Sequence, residues 1–133
     1  MGEREDKINV LVDTNFLVDI FRFNISPDDV MDISGGNAVL FMVKQSIKEL
    51  ERIELKHAKI GLKFIESGKI TILDRPGSNA DDAILSFISE QIRNNQKGNV
   101  ILATNDSRLR KKARDMGVRV IYLRARKHLE ISN

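Results

Sequence analysis

The sequence predicts an α/β protein, a doubly wound three-layer α/β/α sandwich around a mainly parallel five-stranded sheet. Three observations predict it. Five short apolar runs rich in Val, Ile and Leu recur along the 133 residues. None of them alternates with polar residues as a strand covered on one face would, so they read as buried on both faces. Between them lie stretches of helical periodicity, and strand followed by helix, repeated, implies parallel pairing through right-handed crossovers.

Each element has its own signal. Ile8–Val12 (INVLV) is the first strand, and residues 15–23 follow as a helix. Pro27–Ile33 is the second helix, with Ser26-Pro-Asp-Asp29 as a capping box and Gly35-Gly36 as its stop. Ala38–Val43 is the second strand. A long helix over Ser46–Ser67 runs to Gly68, then Lys69–Leu73 is the third strand, and residues 74–80 form a loop. Asp81–Asn95 is helical, with Ile84, Leu85, Ile88 and Ile92 on one face. Val100–Ala103 is the fourth strand. Ser107–Met116 is a helix with Leu109, Ala113 and Met116 turned inward and Gly117 after it, and Val118–Leu123 is the fifth strand. Phe16, Phe21, Phe41, Phe64 and Phe87 read as core. The whole of 1–133 is expected to be one domain, its core at about 8–124, with 125–133 a basic tail that holds His128.

Composition narrows the chemistry. A chain of this length that is 41% hydrophobic can bury the core of one ordinary domain. The absence of cysteine excludes a disulfide framework, a thiolate nucleophile and a Cys-built zinc site. The charged start MGEREDKI has no apolar signal region and no run reaches membrane-spanning length, so the expectation is a soluble, cytoplasmic protein with no membrane partner. Net charge is +3, unevenly spread: Arg108 to Lys127 holds nine Lys and Arg against one acid, Asp115. Such asymmetry leans toward a polyanionic partner, with Arg108, Lys111 and Lys112 as the expected phosphate contacts.

In a doubly wound sheet, ligands bind beyond the carboxyl ends of the strands where the strand order reverses. Asp13 follows the first strand directly and Asp106 lies just past the fourth; if the strand order is 3-2-1-4-5, these two strands are neighbours and both acids sit at that point. Glu49 and Asp81-Asp82 arrive from helix starts at the same edge. Crowded carboxylates raise one another's pKa unless a cation neutralises them. Their hard oxygens suit Mg²⁺ or Mn²⁺, ions that acidify water and stabilise charge developing on a phosphodiester. Helix capping competes with this reading at every position. Ser46-Ile-Lys-Glu49 fits a capping box, Ser78-Asn-Ala-Asp81 a weaker one, and Asp13 or Asp106 can serve as an N-cap.

The motifs taken together resemble the PIN-domain ribonucleases. They are VLVDTN ending at Asn15, SIKELERI from Ser46, NADDAIL from Asn79 and LATND ending at Asp106. The wording of ADDAIL and of the stretch from LATND onward is most similar to the archaeal and eukaryotic pre-ribosomal-RNA processing subgroup, more than to the toxin–antitoxin ribonucleases. The resemblance implies a Mg²⁺- or Mn²⁺-dependent endoribonuclease with Asp13, Glu49, Asp81 and Asp106 as metal-binding and catalytic acids. It implies supporting roles for Asn15, Asp82 and Thr104, and of the adjacent pair Asp81 is preferred as the ligand because in the first turn it leaves Ala83, Ile84 and Leu85 in register with the apolar face. It also implies RNA as partner, pre-ribosomal RNA in particular, and leaves room for a homodimer and for a protein partner in ribosome assembly.

Other classes remain to be weighed. A haloacid-dehalogenase-like phosphatase needs a second Asp where Asn15 stands, and a response-regulator receiver needs paired acids where Thr14 stands. A non-catalytic RNA-binding or assembly module on a degenerate PIN fold, and a toxin-type PIN ribonuclease, are the alternatives to the processing enzyme. His57 and His128 read as solvated, and with one Tyr and no Trp no base-stacking platform is evident.

Overall fold

The computed structural model describes residues 7–132; the charged start at 1–6 and Asn133, the end of the expected tail, lie outside them. Strand β1 (Ile8–Val12) leads into helix α1 (Thr14–Arg22), then α2 (Pro27–Ile33), β2 (Ala38–Val43), α3 (Lys44–Arg52), α4 (Lys56–Glu66), β3 (Ile70–Leu73), α5 (Ala80–Arg93), β4 (Val100–Ala103), α6 (Ser107–Asp115), β5 (Arg119–Arg124) and β6 (His128–Ser132). The sheet order is β3-β2-β1-β4-β5-β6, parallel except for the β5–β6 pair. The expected order is therefore present with a sixth strand added at one edge.

Side chains of the central strands alternate between two cores. Val10, Val12, Leu40, Met42, Ile101 and Ala103 face a cluster completed by Phe16, Leu17, Ile20 and Val30, by Leu50 and by Ala58. Leu11, Val43, Val100, Leu102 and Val120 face the other, completed by Ala83, Ile84, Phe87 and Ile88 of α5 and by Leu109 and Ala113 of α6. This double burial is why the central strands carry unbroken apolar sequence. The edge strand β3 departs from it: Thr71 and Ile72 are exposed, because no strand or helix covers an edge fully.

Three expectations need correction. The helix read as Ser46–Ser67 is two helices, broken where Ile53 and Leu55 take extended backbone. No Pro or Gly marks the break. It lets α4 turn onto α1, where Gly61 allows close approach, since a Cβ there would stand 3.1 Å from Leu17 Cδ2. The Ser46–Glu49 capping box does not form. β2 passes directly into α3 at Lys44, so Ser46 is buried inside the helix, its hydroxyl accepts no capping bond, and Glu49 lies well past the first turn. Residues after Arg124 are not a tail. They turn at Ala125 and Arg126, with φ of 54° and 58°, into β6, whose Leu129 and Ile131 pack against the first core. His128 opens that strand as an exposed residue. Among the described residues no helix is long and apolar enough to cross a membrane.

Candidate functional site

The register of β1 against β4 pairs Val12 with Ala103, so Asp13 and Thr104 leave the sheet side by side. The backbone N–H of Asp13 donates to Ala103 O at 2.9 Å. Here β1 connects toward β2 on one side while β4 connects toward β5 on the other, which makes this the reversal point of the sheet.

Asp13 is 6% exposed, and both of its carboxylate oxygens are engaged. Oδ1 accepts from Thr14 N at 2.9 Å, and Oδ2 accepts from the Thr104 hydroxyl at 2.7 Å. The same Thr104 oxygen accepts from Asp106 N at 3.1 Å, so one hydroxyl ties two acids together. Asp106 is the N-cap of α6, and its Oδ1 accepts from Arg108 N at 2.8 Å and Leu109 N at 3.2 Å. Capping and membership of the site are therefore compatible: the cap occupies Oδ1, and Oδ2 has no hydrogen-bond partner among the described residues.

Glu49 is brought in by a contact that the sequence did not announce. The Thr14 hydroxyl donates to Glu49 Oε1 at 2.9 Å, and it also approaches Ser46 O at 3.3 Å. Thr14 is thus a site residue that sequence reasoning passed over; its position directly after Asp13 was the available signal. Asn105 was also missed. Its side chain donates to Asp19 Oδ2 and accepts from Leu123 N, both at 2.8 Å, and so anchors the Thr104–Asp106 turn to α1 and β5.

Asp81 and Asp82 separate cleanly. Asn79 caps α5, accepting from Asp82 N at 2.8 Å, and Ser78 Oγ donates to Asp82 Oδ2 at 3.0 Å, so Asp82 belongs to the helix start. Asp81 instead lines a recess of about 90 Å³ with Asp106, Arg108, Leu109 and Lys112. Asn15 is exposed along α1 in a groove that it shares with Asp19, Arg22 and Asp106, and among the described residues it makes no hydrogen bond to the four acids.

Electrostatics records how these groups crowd one another. Burial pushes the Asp13 carboxyl up from its ordinary 3.8 to about 6, and the charges of Asp81 and Glu49 add to the push, against the hydrogen bonds from Thr104 and Thr14. Asp81 is raised too, first by burial and then by Asp106, with Asp82 adding less, while Lys112 and Arg108 oppose the rise. Among the described residues no three acidic or histidine side chains are close enough to enclose an ion by themselves. The donor set is all oxygen, negatively charged and open. That fits a hard divalent cation that keeps much of its own water, and it does not fit a closed zinc cage.

The basic stretch is divided by the fold. Arg108 and Lys112 stand at the acids. Lys111 pairs with Asp115 at 2.9 Å, Arg124 pairs with Glu130 at 3.1 Å, and Arg110 stacks over the Tyr122 ring at 4.4 Å.

Comparison with known proteins agrees with this fold. A family model described as a PIN like domain matches residues 10–126. The chain is 29% identical over 130 residues to "Ribonuclease VapC4" of Methanocaldococcus jannaschii, covering 92% of this chain and 95% of that protein. A solved structure, that of the PIN domain endonuclease Utp24, superposes with a TM-score of 0.75 at 20% identity, over 93% of this chain and 90% of that one. The family match runs from within β1 to just past β5, across the reversal point and each of the four acids, and the chain belongs to the PIN-like domain family.

Proposed function

We propose that this protein is a metal-dependent endoribonuclease that hydrolyses RNA phosphodiester bonds at the Asp13 edge of the sheet. One observation carries the reading. Four carboxylates from four separate chain segments lie around the reversal point, in an open arrangement that does not enclose an ion by itself, and the most buried of them resists ionisation through its burial and then through the charges of its neighbours. Neutralising a charge cluster of that kind is what a divalent cation does. The relatives named as a ribonuclease and an endonuclease support the reaction class.

In this reading Asp13, Glu49, Asp81 and Asp106 hold Mg²⁺ or Mn²⁺, partly through water. The bound ion supplies Lewis acidity toward the phosphodiester and a more acidic water. The chain supplies orientation. Thr104 fixes Asp13 and the Asp106 backbone together, and Thr14 holds Glu49 toward them. Arg108 and Lys112 draw in the phosphate, and their charges oppose the upward push on the Asp81 carboxyl.

The natural substrate we propose is pre-ribosomal RNA, from the likeness of ADDAIL and LATND to that subgroup. The full-length similarity to Ribonuclease VapC4 favours a second reading, a toxin-type ribonuclease with a different target. RNA incubated with the protein in Mn²⁺, Mg²⁺ or EDTA tests the activity: metal-dependent internal cuts are expected, and binding without cleavage under every condition would point to a non-catalytic module. Sequencing the ends produced in total RNA separates the two substrates, because cuts confined to ribosomal precursor spacers are expected only of the processing enzyme.

A further inference from the structure

A second basic surface lies on the side of the acids away from α6, and nothing in the charge distribution along the chain marks it. Lys44, Lys48 and Arg52 recur at every fourth position of α3, so they share one face, stepping about 6 Å along the axis each time. They line a cleft of about 460 Å³ whose opposite wall is the loop Gly77-Ser78-Asn79. Glu49 lies in the same cleft, and Ala80, next to Asp81, closes its end. All three cations are exposed, and none forms an ion pair among the described residues. Asp74 and Glu49 at the margins leave the cleft net positive.

The cleft is built in advance of any ligand. Gln45 Nε2 donates to Arg75 O at 2.9 Å and to Gly77 O at 2.8 Å, which fastens the loop to α3. Arg75 pairs with Glu90 and so fastens the same loop to α5. Gly77 sits at φ +153° with no room for a side chain, since a Cβ there would stand 2.6 Å from Ala83 N. Among the described residues no aromatic side chain lines the walls, so the cleft is suited to a charged backbone and not to stacked bases.

We propose that this cleft is a subsite for the RNA backbone, in which Lys44, Lys48 and Arg52 hold phosphates on one side of the scissile bond while Arg108 and Lys112 hold the strand on the other. The inference rests on the nuclease reading and extends it. The strand then crosses the acids between two basic walls. Contacts to phosphate position a strand without reading its sequence, so this grip is expected to be sequence-tolerant.

The test is binding of a short labelled oligouridylate to the full chain in EDTA, measured by anisotropy across a salt series. The triple variant K44Q/K48Q/R52Q is expected to lower the log–log salt slope by about 2, at about 0.7 for each phosphate no longer neutralised. The charge-matched variant K56Q/K59Q/K63Q, on the exposed side of α4, is expected to change it by less than about 0.7, the share of a single phosphate. Melting curves check that both fold as the parent does. A slope unchanged in the first variant, or lowered equally in both, would overturn the subsite. Cleavage by the parent in Mn²⁺ is measured alongside. A parent that cleaves while the first variant keeps its slope loses the subsite and retains the nuclease reading. A parent that neither binds nor cleaves loses both.

Discussion

Asp13 shows how burial and charge act on a single side chain. Its carboxyl titrates near 6 in the folded chain and near 3.8 when unfolded, so the folded state holds the proton more tightly. Stability from this group is fully present below about 3.8 and is lost as pH rises through about 6, by an upper bound of about 3 kcal/mol at 1.36 kcal/mol per unit. Asp13→Asn is therefore expected to melt higher than the parent in EDTA at pH 7.5 and about level with it at pH 4. Equal melting differences at the two pH values would remove Asp13 as the strained group. Because a cation needs the ionised form, its affinity for the parent should climb with pH across the same window. Thr14→Val tests positioning at the same scale. It keeps the shape of the side chain and removes the hydroxyl that holds Glu49, so a loss of about 1 kcal/mol or less in stability is expected. Cleavage should fall by roughly 10- to 100-fold, the range for residues that orient metal ligands. A Thr14→Ser variant that recovers most of the activity would confirm that the hydroxyl, and not packing, is responsible.

At the scale of elements, helix starts present three of the four acids: Asp13 and Asp106 as N-caps of α1 and α6, and Asp81 in the first turn of α5. Asp106 caps α6 through Oδ1, and Asn caps about as well as Asp. Asp106→Asn should thus leave the melting temperature in EDTA unchanged or slightly raised, since repulsion with Asp81 is relieved. The upward shift on adding Mn²⁺ should shrink, because stabilisation by a ligand follows its affinity for the folded state. Cleavage should drop by orders of magnitude with RNA binding retained. A variant with the parent's Mn²⁺ shift and undiminished cleavage would leave Asp106 as a cap alone. The Val43–Lys44 junction works by a different device. With no loop between β2 and α3, the helix leaves the sheet edge at once, which carries Glu49 back over Thr14.

At the scale of the molecule, β6 closes one edge of the sheet. Its Leu129 and Ile131 pack against the first core, Tyr122 donates to Glu130 at 2.9 Å, and Arg124 pairs with the same carboxylate, which holds Glu130 below its ordinary pKa through those two contacts. Ending the chain after Lys127 uncovers part of that core and leaves β5 as an open edge, a surface prone to pairing with other chains. The truncated chain is expected to lose about 2–3 kcal/mol on the strength of two half-buried aliphatic side chains, read as a lower denaturant midpoint. An unchanged midpoint would show that the residues after Lys127 add nothing to the folded core.

The mainly parallel sheet covered on both faces and the emergence of Asp13 and Asp106 at its carboxyl edge were legible in the sequence. Each follows from local pattern: unbroken apolar runs mean strands covered on both faces, and the acid after such a run must emerge at the carboxyl edge. How neighbours at that edge meet was settled by the fold. The break between Arg52 and Lys56 carries no Pro or Gly, and the hairpin at Ala125-Arg126 carries no Gly or Asn, so neither had a turn signal to read. The Thr14–Glu49 bond joins residues 35 apart, and the Thr104–Asp13 bond joins residues 91 apart. The Lys44-Lys48-Arg52 face was hidden because Glu49 and Glu51 interrupt it along the chain, while the helix aligns the three cations along one cleft whose net charge stays positive. Periodicity and termination are written residue by residue, whereas contacts across the sheet depend on register and on helix rotation, which the packing of both cores determines.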